Sequence, residues 1–129
     1  PFRAHLQIAK ALIFSCFLGS IVFLVFPTEC GYDRSLDNIS RYTSLFNFLW
    51  SQDFPVTLMP SFHVTMSAIF ILPIVTRASN NWIKFVLLIW LLMICISIIL
   101  VHQHHIIDIF SGLALALLSL KVFFKGEYV

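Results

Sequence analysis

The stretch VHQHHIIDIFSG, Val101 to Gly112, sets His102, His104, His105 and Asp108 between two long apolar runs. His104 and Asp108 are i and i+4, so a helix beginning here carries them on one face. A carboxylate in that position accepts the Nδ1–H of the imidazole. That fixes the tautomer and leaves Nε2 as a nucleophile or a base. Another histidine, His63, follows Pro60 and Ser61 in the stretch PSFH, far away in sequence and also at the edge of an apolar run.

Both stretches read as helix starts. Pro60 and Ser61 suit a first turn, and a second helix begins around HQHH. The free amides and positive dipole ends of two helix N-termini form an anion site, for which a phosphate is the natural occupant. One histidine could attack phosphorus while the other protonates the leaving oxygen.

The elements that must position these groups are membrane helices. The 129 residues are 60% hydrophobic and only 11% charged, against about 25% charged residues in a typical soluble domain. A spanning helix needs about 20 mostly apolar residues. Four stretches read as spans: Ile8 to Phe26, Leu58 to Thr76, Trp82 to Val101 and His105 to Phe124. The second holds His63 and Pro73. Between the first two spans lies a polar segment, Pro27 to Val56, in which Tyr42, Leu45, Phe46 and Leu49 follow helical spacing. A short amphipathic helix at the lipid–water interface is expected there, with Trp50 beside it. The fold class is therefore all-α, a polytopic membrane bundle of about four spans plus one interfacial helix.

Four spans put both chain ends on one side, with Arg3, Lys10, Arg77, Lys84, Lys121 and Lys125. The other side holds the histidines, the polar segment and only Arg34 and Arg41 as basic residues. The positive-inside rule makes the six-residue side cytoplasmic and the histidine side extracytoplasmic. A net charge of +2, with no basic patch interleaved with aromatics, argues against a nucleic-acid partner. Cys16 and Cys95 lie in apolar runs and Cys30 in the polar segment, so no disulfide framework follows. Asn38-Ile39-Ser40 is a glycosylation triplet on the histidine side.

The motifs resemble those of the type 2 phosphatidic acid phosphatase superfamily. Pro60 to His63 is similar to its Pro-Ser-x-His motif. Ser97 to Asp108, SIILVHQHHIID, is similar to its Ser-Arg-x5-His-x3-Asp motif, with Ser97, His104 and Asp108 at matching spacing. Order and spacing agree over about Phe26 to Leu120. FPTECGYDR, Phe26 to Arg34, further resembles the branch that contains inositol phosphorylceramide synthases.

The resemblance implies cleavage of a lipid phosphate without metal or cofactor, through a phosphohistidine. His104 would be the nucleophile, Asp108 its orienter and His63 the acid and then the base, with Ser61 and Ser97 holding the phosphate. The arginine of the third motif is Ile98 here, and the first motif, Lys-x6-Arg-Pro, is not found. Arg34, and after it Arg41, are the replacement cations. The superfamily has six spans, so residues 1–129 are expected to form one transmembrane domain that lacks the N-terminal pair. The bilayer and a lipid phosphate are the expected partners; nothing here addresses the oligomeric state.

Three alternatives stand beside hydrolysis. A lipid phosphotransferase would use the same histidines and an alcohol acceptor. A metal-dependent membrane oxidase or hydroxylase is suggested by HQHH, although one helix cannot aim His102, His104 and His105 at a single ion. An inactive homologue is the third. If the loop supplies the phosphate clamp, Arg34→Ala lowers turnover far more than Arg77→Ala on the opposite side. Equal, small effects in steady-state kinetics of the two variants would remove the loop from the site.

Overall fold

The computed structural model describes residues 2–29, 31, 41–52 and 59–124. Five helices account for most of them: α1 (Phe2–Val25), α2 (Thr43–Gln52), α3 (Phe62–Arg77), α4 (Asn81–Leu100) and α5 (Ile106–Phe123). By length and composition α1, α4 and α5 can cross a membrane, and α3 is a shorter apolar helix. A helix satisfies its own backbone amides, which hydrocarbon cannot do for it. That is why uninterrupted apolar runs take this form.

The second expected span is the one that differs. It was expected from Leu58, but α3 begins only at Phe62 and has 16 residues. Residues 59–61 are not helical, and Pro60 and Ser61 are buried. The reason is a competing partner: the Ser61 N–H donates to the Asp108 carbonyl on α5, at 3.1 Å. Arg34, Cys30 and the triplet Asn38–Ser40 lie outside the described residues.

Helix α3 sits at the centre, packed on α5, α4 and α1, while α1 also packs along α5. The main core joins Ala11, Ala68, Ile69, Ile71, Leu91, Ala116, Leu120 and Phe124. On α1, Ala11, Ser15 and Gly19 recur every fourth residue and are buried, the small-residue pattern that lets membrane helices approach closely. At the basic end, the Arg77 guanidinium lies 5.5 Å from the centre of the Phe124 ring. This cation–π contact joins the last turns of α3 and α5.

The closest approach is at the opposite end. The Thr65 hydroxyl donates to the carbonyls of Ser61 (2.8 Å) and Gly112 (2.9 Å), sharing its proton between two helices. A Cβ on Gly112 would stand 2.6 Å from the Ser61 carbonyl oxygen, which is backbone and cannot yield. A Cβ on Gly19 would stand equally close to the Phe62 ring, but at its far end, which can swing away. Overpacking costs about 1–3 kcal/mol where neighbours cannot yield. Gly112→Ala is therefore expected to lower the thermal midpoint in detergent clearly more than Gly19→Ala. Equal midpoints would show that the α3–α5 crossing tolerates separation.

Candidate active site

Helix α4 delivers the turn that carries His104. Its C-cap is Val101. The next residue, His102, has φ 55°, the left-handed conformation in which glycine usually ends a helix. The His102 N–H donates to the Ile99 carbonyl and the Gln103 N–H to the Ile98 carbonyl, both at 3.0 Å. These two bonds are a Schellman motif built on a histidine, a residue type enriched among non-glycine left-handed positions. The His104 N–H then returns to the same Ile98 carbonyl at 3.2 Å. The nucleophile candidate is thus tied to the end of α4 immediately before α5 begins.

His104 is 5% exposed and Asp108 2%. A buried carboxylate costs several kcal/mol unless it is paired and hydrogen-bonded. Asp108 Oδ2 accepts the His105 N–H at 2.7 Å and faces His104 Nδ1 at 3.5 Å. The second distance is that of an ion-pair contact rather than a tight hydrogen bond. It sets Nδ1 on the carboxylate side of the ring and Nε2 on the other.

Nε2 meets His63. The two rings lie 5.6 Å apart at 70°, with His63 Nδ1 at 3.4 Å from His104 Nε2. His63, in the first turn of α3, is exposed. Ser61, the N-cap of α3, is fully buried, and its Oγ makes no hydrogen bond among the described residues. A buried hydroxyl of this kind suits an oxygen-rich ligand, and it lies between the starts of α3 and α5, whose first amides have no intrahelical acceptor.

The other residues expected at the site stand elsewhere. Ser97 is exposed in the last turn of α4, with its hydroxyl bonded back to the Ile94 carbonyl at 2.9 Å. Arg41 is exposed in the turn before α2. Among the described residues it is the one Lys or Arg on the histidine side. Ile98, at the position of the motif arginine, is buried with Val64 and Ile109 under the histidines. Among the described residues no three His, Cys, Asp or Glu side chains are grouped as metal ligands would be.

Sequence reasoning missed Thr65, Gly112, His105 and the bond between Met59 and Thr28. Thr65 and Gly112 set the α3–α5 crossing; a glycine within an apolar span was the available signal. His105 accepts the Gly31 N–H at Nε2 (3.3 Å) and so joins the segment after α1 to the start of α5. The Met59 N–H donates to Thr28 Oγ1 at 3.2 Å and joins the same segment to the approach to α3.

A model of the PAP2 superfamily, the type 2 phosphatidic acid phosphatases, matches residues 2–122. The chain belongs to the PAP2 superfamily. Comparison with curated proteins and with solved structures returns no match. Membership and three apolar helices make this an integral membrane protein, and membership supports a phosphatase-like lipid phosphoesterase function.

The two serines offer a direct contrast. Ser61→Ala is expected to raise KM for a phosphate substrate or lower kcat by about tenfold, the loss of one hydrogen bond to a charged group. Ser97→Ala, already satisfied on its own helix, should change either constant less than threefold. The reverse ranking in steady-state kinetics would move the phosphate to the end of α4.

Proposed function

We propose that the protein is a membrane phosphatase that cleaves a lipid phosphate on the extracytoplasmic side through a phosphohistidine, without metal. The observation that carries this reading is the approach of His63 Nδ1 to His104 Nε2 at 3.4 Å, with Asp108 behind the second ring. His104 Nε2 attacks phosphorus as the bond from phosphorus to the lipid oxygen breaks. The leaving oxygen takes a proton from His63. Asp108 stabilises the positive charge that develops on His104. Water then attacks the phosphohistidine, His63 accepts its proton, the phosphorus–nitrogen bond breaks, and inorganic phosphate leaves.

The separation of the two rings defines how substrate enters. In-line transfer places the phosphoryl group between nucleophile and acid, which needs about 7 Å between the two nitrogens. The two nitrogens stand at half that distance, 3.4 Å. His63 is the exposed partner and His104 the buried, tethered one. Substrate therefore enters by turning the His63 ring outward, while His104 keeps its place. Arg34 and Arg41 are the loop cations assigned to the phosphate oxygens, with Ser61 and, after it, Ser97.

A second reading, transfer of the phosphoryl headgroup to an alcohol, uses the same nucleophile. It is favoured by the segment that resembles inositol phosphorylceramide synthases, because Thr28 of that segment is bonded to Met59 at the approach to the site. Turnover of phosphatidic acid, isoprenyl pyrophosphate, and ceramide with a phospholipid donor, assayed in parallel, separates the two.

His104→Ala is expected to abolish the phosphoenzyme, and Asp108→Asn to lower its formation strongly while the fold is kept. His63→Ala should block natural lipids yet partly spare a substrate whose leaving group needs no proton. EDTA should leave turnover intact. Full turnover by His104→Ala, or its loss in EDTA, would replace the phosphohistidine with a metal-activated water.

A further inference from the structure

Trp50 reaches the turn that carries His104. Its indole N–H donates to the Val101 carbonyl at 3.1 Å. Val101 caps α4 and opens the turn that runs through left-handed His102 to His104. A left-handed conformation costs a non-glycine residue about 1–2 kcal/mol, so the turn needs restraint from its surroundings. The Trp50 hydrogen bond is a restraint delivered from a separate helix.

That helix is α2, and it has no buried side chain. Tyr42, Leu45 and Phe48 form one arc beside it and are 58%, 55% and 62% exposed. Leu100, next to the tethered carbonyl at the end of α4, is 72% exposed as well. An amphipathic helix with exposed aromatics, joined to the apolar flank of a spanning helix at its very end, belongs in the lipid–water interface.

We propose that Trp50 is a positioning residue for His104, and that α2, seated in the interface, couples the reaction to the membrane surface. The inference rests on the histidine mechanism above. When α2 lies in the interface, Trp50 holds the Val101 carbonyl, the turn keeps its shape and His104 Nε2 stays in line with phosphorus. When α2 leaves, the donor leaves with it, and a nucleophile displaced by about 1 Å loses up to about a hundredfold in rate.

The test uses the full chain in phosphatidylcholine vesicles with two substrates, phosphatidic acid in the bilayer and p-nitrophenyl phosphate in the water. Trp50→Phe keeps the ring and removes the donor. Leu45→Gln with Phe48→Gln makes the exposed arc polar without touching a buried side chain. Both are expected to lower kcat about tenfold for both substrates, with KM and the thermal midpoint little changed. Unchanged kcat in Trp50→Phe overturns the inference. A loss confined to phosphatidic acid also overturns it, because α2 would then only gather lipid. So does a change in oligomeric state with kcat intact, which would make the arc a contact between copies. A wild-type chain without turnover that His104→Ala removes defeats the proposed function itself, and the coupling with it.

Discussion

One backbone hydrogen bond, from Ser61 N–H to the Asp108 carbonyl, sets the depth at which two helices begin. A helix start can slide along its neighbour by a turn without exposing apolar surface, so burial alone does not fix this register. The bond does, and Gly112 allows it by letting the Ser61 carbonyl come where a methyl group would stand. From that register follow the meeting of His63 with His104 and the position of the Ser61 hydroxyl between two helix N-termini. Thr65, whose hydroxyl is divided between the Ser61 and Gly112 carbonyls, ties the same crossing one turn further along.

The surroundings of the histidine pair are poor in positive charge among the described residues. Apolar packing by Val64, Ile98 and Ile109 supports the histidine pair, and Asp108 adds a buried carboxylate. Neither element attracts an anion. The two helix starts are the elements whose first amides suit an anion, and the proposed function needs a cation from the polar segment, because Ile98 stands where the motif has arginine.

Much of this was legible in the residues. Apolar run lengths gave α4 and α5 to within a residue at each end, because lipid leaves the backbone no alternative. The start of α1 lies earlier than expected, since Arg3 and Lys10 do not break a helix and their long side chains can reach the headgroups. For α3 the apolar run suggested a span from Leu58, whereas Pro60 and Ser61 marked the start that the helix has, with Ser61 as its N-cap; apolarity says nothing of a backbone bond to a distant carbonyl. Spacing paired His104 with Asp108, but not on one helix: His104 is non-helical, one residue before the N-cap of α5, and meets the carboxylate from the turn; topology brought His63 to the same side. Neither shows which way a hydroxyl turns, and Ser61 and Ser97, equivalent as letters, differ completely in burial and partners.

Helix α3 spans 16 residues, about 24 Å at 1.5 Å per residue, whereas the hydrocarbon layer is about 30 Å thick. With Arg77 at one headgroup plane, the other end falls several ångströms short of the opposite plane. The deficit is that of α3 alone: α4, with 20 residues, is about 30 Å long and matches the layer. A short helix among longer ones thins the bilayer around it or is carried by its neighbours, at a cost of fractions of a kcal/mol for each ångström of mismatch. Membranes of different thickness therefore differ in the cost of housing this bundle.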